Sequence, residues 1–150
     1  MSILPGLLDR ARRTGDFGPM VEAVPYARFL GISVEPGPTG ELLARLRSAP
    51  HVVGNALLPA LHGGAISALL ESAAIFGLLW ETREAEVLAT PRTISITIEY
   101  LRSARTVDTL ARAEITRHGR RVAAVRTVAW QEDPSKPVAA ANVHFLLKTT

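Results

Sequence analysis

The spacing of apolar and polar positions changes along the chain, and the changes predict its elements. From Ile3 to Arg13, and again from Met20 to Leu30, apolar residues return every three or four positions. That spacing predicts a short helix followed by a second one kinked at Pro25, both at the periphery. Ile32 to Glu35 and Leu42 to Arg47 read as strands of one hairpin, joined through the turn-rich Pro36-Gly37-Pro38-Thr39-Gly40. Pro50 to Leu61 is apolar but carries Gly54 and Pro59, so a loop is expected there. Between Gly64 and Glu81 the pattern is strongly helical. Ala65, Ile66, Ala68, Leu69, Leu70, Ala73, Ala74, Ile75, Leu78 and Leu79 cover most of its circumference, which predicts a helix buried on nearly every side.

After this helix the spacing drops to two. Strands are expected over Glu86 to Leu101, Thr106 to Thr116, Arg120 to Gln131 and Pro137 to Lys148. In the first, Ile94, Ile96, Ile98 and Tyr100 fall on one face and Thr93, Ser95, Thr97 and Glu99 on the other. His118-Gly119 and Asp133-Pro134-Ser135 supply the turns between the later strands. The expected fold class is therefore α+β in one domain over residues 1–150, with residues 1–24 as a peripheral helical segment. A hairpin, one long helix and a meander of four strands would form a single antiparallel sheet wrapped around that helix. Such a sheet has exposed edges and a bare outer face, so at least a dimer is expected.

Composition narrows the chemistry. Hydrophobic residues make up 47% of the 150 and charged residues 21%, proportions that suit a globular domain. The excess of 17 basic over 14 acidic residues is too slight to make nucleic acid the expected partner. Cysteine is absent, which removes disulfides, thiol catalysis and zinc-thiolate sites and is compatible with a reducing interior. His51, His62, His118 and His144 have no metal-ligand spacing, so no metal is expected. The first apolar run is broken by Pro5 and Gly6 and followed by Arg10, Arg12 and Arg13, unlike a signal peptide. The run from Ile66 to Trp80 is interrupted by Ser67, Glu71 and Ser72 and is shorter than the ~20 residues a bilayer requires. A cytoplasmic protein without a membrane segment is expected.

Candidate chemistry gathers at the start of the long helix, in Asn55 to Leu61 and His62-Gly63-Gly64. Two glycines there let a ligand approach the backbone, and first-turn N–H groups are free donors at the positive end of the helix dipole. They would suit a carbonyl oxygen gaining negative charge; alternatively the glycines only form a tight turn and His62 is an ordinary loop histidine. Glu71 lies in the helix expected to be buried, and its neighbours Ser67, Ala68, Ala74 and Ile75 include no cation. A carboxylate buried without a partner costs several kcal/mol, so its presence points to general-base or nucleophilic chemistry. It could instead lie on a solvated stripe or meet an arginine such as Arg126. Gly63 and Glu71 are 8 residues apart, about 12 Å along a helix. If the Gly63 N–H holds a carbonyl whose carbon Glu71 acts upon, the two groups must come from different chains, as two antiparallel central helices in a dimer would allow.

At these residues the sequence resembles the PaaI-like hotdog-fold thioesterases, relatives of 4-hydroxybenzoyl-CoA thioesterase. The likeness rests on Asn55, His62-Gly63-Gly64, Glu71 nine residues after His62, and the strand from Thr93 to Ala104 that ends Tyr100-Leu101-Arg102-Ser103-Ala104, and it covers roughly residues 25–148. The resemblance implies hydrolysis of an acyl- or aryl-CoA thioester by a homodimer or a dimer of dimers, without metal or organic cofactor. It implies that Glu71 is base or nucleophile, that the Gly63 backbone polarises the thioester, and that His62 supports the loop. Asn55 would be the polar residue that places water or the carbonyl, although the family's spacing falls on Ala56. Thr93 would be the assisting hydroxyl, given from the neighbouring chain in relatives. Arg92 and Arg102 are candidates for the coenzyme A phosphates, with Gly64 beside the substrate. Leu57, Leu58, Ile75 and Leu79 would line an acyl pocket or fill the core. A hotdog module that binds acyl-CoA without turnover is the alternative, and a dehydratase a third reading.

Overall fold

The computed structural model describes residues 4–82 and 91–147. Three helices open the chain: α1 (Leu4–Thr14), α2 (Gly18–Glu22) and α3 (Pro25–Leu30). The single kinked helix expected over Met20 to Leu30 is two helices. Val24 takes an extended conformation (φ −113°, ψ 93°), as the residue before a proline prefers, and Pro25 starts α3 afresh. Gly31 then ends α3 in the left-handed region at φ +82°. The segment expected at the periphery supplies Leu8, Ala11, Phe17, Met20 and Val21 to the same core as the sheet.

Strands β1 (Ile32–Pro36) and β2 (Leu42–Leu46) form the expected hairpin. Where a loop was expected between Pro50 and Leu61, a 3-10 turn at Pro50–Val52 leads into a small hairpin of β3 (Val53–Asn55) and β4 (Ala60–Leu61). Gly54 and Pro59 are accommodated there because this two-stranded piece stands apart from the main sheet. Helix α4 (Gly63–Glu81) follows. Then come β5 (Pro91–Tyr100), β6 (Thr109–His118), β7 (Val122–Trp130) and β8 (Ala139–Leu147). The expected strand ends at Glu86 and Lys148 lie outside the described residues.

The sheet order is β1-β2-β6-β7-β8-β5, antiparallel throughout. A four-strand meander was expected, but only β6, β7 and β8 form one. β5 crosses to the far edge and pairs with β8. The crossing lets five strands, β2, β5, β6, β7 and β8, pack against α4. This antiparallel sheet curled around one long helix is the hotdog fold.

Helix α4 has the length and hydropathy of a membrane span, yet 56% of its most apolar window is buried inside the fold. Its C-terminal carbonyls, left without partners by the helix ending, are met from α1. The Arg12 guanidinium donates to the carbonyls of Leu79 at 3.2 Å and Trp80 at 2.8 Å, and lies 5.3 Å above the Trp80 ring.

The alternation in β5 is interrupted near its start. Thr93 pairs with Phe145 and Ser95 with His144, which leaves Ile94 as a bulge. Ile94 is 57% exposed rather than aligned with Ile96 and Ile98, and Thr93 shares their helix-facing side. Uninterrupted alternation had placed Thr93 on the opposite face. One extra residue reverses the side on which every position before it falls.

Helix and sheet approach most closely at Gly77, where an added Cβ would lie 2.7 Å from the Ala113 Cβ on β6. Helix propensity alone would favour alanine by about 1 kcal/mol, but overpacking costs ~1–3 kcal/mol. Gly77→Ala is therefore expected to lower stability, read as an earlier urea midpoint with unchanged slope.

Candidate active site

The start of α4 is organised so that a single donor stays open. His62 N–H bonds to the Val52 carbonyl at 2.8 Å, tying the helix entrance to the 3-10 turn. An added Cβ on Gly54 would stand 2.7 Å from the His62 Cα, so this approach needs the glycine. His62 is the N-cap, and its Nδ1 accepts the Gly64 N–H at 2.8 Å, which puts the proton of the accepting ring on Nε2. The Ala65 and Ile66 N–H groups both reach the His62 carbonyl, at 3.0 and 3.2 Å. Of the N–H groups from His62 to Ile66, only that of Gly63 has no acceptor among the described residues.

Beside this donor lies a cavity of about 450 Å³ between the start of α4 and the segment after β5. Gly63, Ile66, Tyr100, Leu101 and Arg102 line it. The Tyr100 ring closes over Gly63, at 3.2 Å from where a Cβ would stand. Its hydroxyl donates to the Gly63 carbonyl at 2.9 Å, and Ser67 Oγ donates to the same oxygen at 2.9 Å. Arg102 and Ser103 also border a neighbouring polar hollow of about 250 Å³ with Arg105, Glu132, Asp133 and Lys136. There the Ser135 hydroxyl and backbone N–H hold Asp133 below the usual carboxylate range, with smaller help from the charges of Lys136 and Arg102. Arg92 is exposed on β5 and does not line either hollow.

The acid lies further along the same helix. Glu71 is half-buried, on a partly open stripe with Ser67, Ala68, Ser72 and Ile75, so the expectation of a helix buried on nearly every side is corrected there. The sheet covers the opposite faces, where Leu69, Leu70, Ala73, Ala74 and Leu78 are buried, and does not close over this one. Glu71 makes no ion pair among the described residues. Arg126 is on the outer face of the sheet, near Asn142 and Glu99. The partner of Glu71 is Thr93, whose hydroxyl donates to Oε1 at 2.6 Å. That bond lies within one chain, because the β5 bulge aims Thr93 at its own helix, whereas the resemblance had implied a hydroxyl from a neighbour.

The sequence-predicted residues thus fall into two groups on one helix. His62, Gly63, Gly64 and Arg102 surround its start, while Glu71 and Thr93 meet 8 residues beyond Gly63. Asn55 ends β3, and its side chain is engaged locally, accepting the N–H groups of Leu57 and Leu58 at 3.0 and 3.2 Å in an Asx turn. Leu57 and Leu58 at that tip are 92% and 74% exposed and belong to no core, whereas Leu79 is buried. The hydroxyls of Tyr100 and Ser67 on the Gly63 carbonyl were not anticipated. The only sequence signal for them is Ser67 one helical turn after Gly63, the spacing at which a serine reaches back to a carbonyl. Among the described residues no three His, Asp or Glu side chains converge as metal ligands.

Residues 55–146 match the family described as the acyl-CoA thioesterase N-terminal domain. No curated protein matches the chain. Among solved structures, a protein from Chromobacterium violaceum is 38% identical with a TM-score of 0.76, covering 99% of this chain and 98% of its own. A Bacillus halodurans protein determined with CoA is 18% identical with a TM-score of 0.75, covering 98% of this chain and 92% of its own. A candidate thioesterase related to phenylacetic acid degradation, from Ralstonia eutropha, is 21% identical with a TM-score of 0.73, covering 94% and 99%. The last two likenesses concern the fold. With a family match over most of its length, an antiparallel sheet around one helix, and a histidine-capped, glycine-rich helix start followed by a glutamate, this chain belongs to the hotdog-fold acyl-CoA thioesterase family.

Proposed function

We propose that the protein hydrolyses an acyl- or aryl-CoA thioester to the free acid and coenzyme A at two composite sites of a homodimer. The observation that carries this reading is the unpartnered Gly63 N–H beside a cavity, with a hydroxyl-bound carboxylate further along the same helix. The thioester carbonyl accepts the Gly63 N–H, which lies at the positive end of α4 and stabilises the oxygen as it gains charge. Glu71 either takes a proton from a water that adds to the carbonyl carbon, or attacks that carbon itself to give a mixed anhydride that water then hydrolyses to the free acid. The C–S bond breaks and the thiolate leaves. Thr93 occupies Oε1 and leaves Oε2 for the reacting group. Arg102, on the cavity wall, is placed to meet a phosphate of the leaving half.

The dimer follows from reach. Eight helical residues separate donor and acid, about 12 Å along the axis, against the ~3–3.5 Å at which reacting atoms must meet. Two features of the single chain favour a second copy: the half-open stripe of α4 that carries Glu71, and the unpaired edge of β5. Antiparallel α4 helices would set the Gly63 of one protomer against the Glu71 of the other, twice over.

Glu71→Gln keeps the size and the Thr93 contact but removes the base. It is expected to lower thiol release from acyl-CoA by roughly 10³-fold or more while acyl-CoA still binds, measured by a chromogenic thiol assay and by calorimetry. Normal turnover by this variant would sink the assignment, and binding without turnover by the wild type across aryl, short, medium and long acyl-CoAs would favour the non-catalytic module.

Gly63→Pro separates donor from fold. Position 63 is the first residue of α4, where proline is well accepted, and His62 already has the extended backbone (φ −65°, ψ 132°) that precedes it. The variant loses the N–H, and its Cβ moves the exposed Tyr100 ring by a few tenths of an ångström, so it is expected to be folded and inactive. Co-expressed equally with Glu71→Gln, it should restore activity, because a mixed dimer keeps one site with both groups intact. With random pairing, half the dimers are mixed and one of two sites works, about a quarter of wild-type activity. No recovery from verified mixed dimers would place donor and acid in the same chain and refute the composite site.

A further inference from the structure

Gly63 and Gly64 leave the donor without side-chain restraint, and glycine has the greatest backbone freedom to lose. A donor that must be aimed in advance at a developing charge is poorly served by such a segment unless something else holds it. The contacts around the Gly63–Gly64 peptide supply that hold at both of its ends. Its N–H is taken by His62 Nδ1 at 2.8 Å, and its carbonyl receives Ser67 Oγ at 2.9 Å and Tyr100 Oη at 2.9 Å. The two hydroxyls are themselves 2.8 Å apart. Three oxygens therefore share two hydroxyl hydrogens, so two of the three contacts are hydrogen bonds at a time, and at least one hydroxyl always donates to the Gly63 carbonyl.

We infer that Tyr100 and Ser67 form a hydroxyl clamp that positions the Gly63 N–H, and that Tyr100 is the wall against which the thioester is seated. This rests on the hydrolytic reading above. Three observations go beyond simple packing. Tyr100 is 56% exposed, so its ring is not held there by burial. Its ring passes so close to Gly63 that a Cβ there would press it back by a few tenths of an ångström, and it lines the cavity that the Gly63 N–H borders. Moreover, β5 carries both Tyr100 at its end, on Gly63, and Thr93 near its start, on Glu71. One strand thus holds both chemical groups of the helix in place, and the clamp is the end of that strand which sets the donor.

Tyr100→Phe keeps the ring and removes the hydroxyl, Ser67→Ala removes the other, and Ser67→Thr should rescue because it keeps the oxygen. In the free protein, Tyr100→Phe and Ser67→Ala should each speed amide exchange of Gly64 by roughly 5–10-fold through easier local opening, while amides in the middle of α4 are unmoved. In turnover, each should lower kcat by about 10-fold with little change in KM, the signature of an interaction realised in the transition state. The double variant should lose little more than one single variant, since the hydroxyls act as a unit. Unchanged Gly64 exchange overturns the clamp. Faster exchange with unchanged kcat overturns its role in positioning the donor. A loss of protection throughout α4 in Tyr100→Phe would make the residue a structural support and equally overturn the proposal. A wild-type protein that cleaves no acyl-CoA would refute the hydrolytic reading instead, and the exchange measurement, which needs no substrate, still decides whether the clamp exists.

Discussion

The rigid spacing of one helix governs the rest of this structure. Gly63 presents an open N–H and Glu71 an acid with one oxygen engaged, and α4 holds them 8 residues apart, about 12 Å along an axis that cannot shorten. A buried helix packed on five strands does not bend to bring its own residues together. If the two groups act on one thioester, as proposed above, a single chain holds two half-sites rather than one whole site. A second copy resolves it by symmetry, and the same surface that would admit that copy is the part of α4 the sheet leaves uncovered.

The crossing of β5 to the sheet edge links fold to chemistry. Placed beside β8 rather than β6, it runs along α4 and meets both groups of the proposed site, Glu71 through Thr93 and Gly63 through Tyr100. The bulge at Ile94 makes this possible, since Thr93 and Tyr100 are 7 residues apart and strict alternation would set them on opposite faces. At the other end of α4, Arg12 meets the carbonyls that the helix ending leaves open, so the element that carries both groups is anchored at its start by His62 and at its finish by α1.

The acid is less isolated than its position in an apolar helix suggests. Glu71 is half-buried and accepts one strong hydroxyl bond, with no cation beside it among the described residues. In a single chain Glu71 lies on the partly open stripe of α4. Closing that stripe with a partner would remove water from the carboxylate, strengthening its interactions with whatever reacts there. On the proposed reading, assembly would therefore set the surroundings of the acid as well as its meeting with the donor.

Local pattern was enough to read the hairpin of β1 and β2, the extent of α4, the turns of the β6-β7-β8 meander, and the pairing of a glycine-rich helix start with a glutamate. Those features depend on residues near one another in the chain, through period, capping and turn chemistry. What tertiary structure decided was everything set by distant neighbours. The apolar faces of α1 and α2 proved to be core because α4 and the sheet meet them. The edge position of β5 depends on which strand it pairs with, and alternation carries no such information. The Thr93–Glu71 bond and the Tyr100 hydroxyl on the Gly63 carbonyl join residues 22 and 37 positions apart, and the Ile94 bulge rests on the pairing of β5 with the still more distant β8. A period in the sequence reports which side of an element is apolar; it does not report what that side will touch.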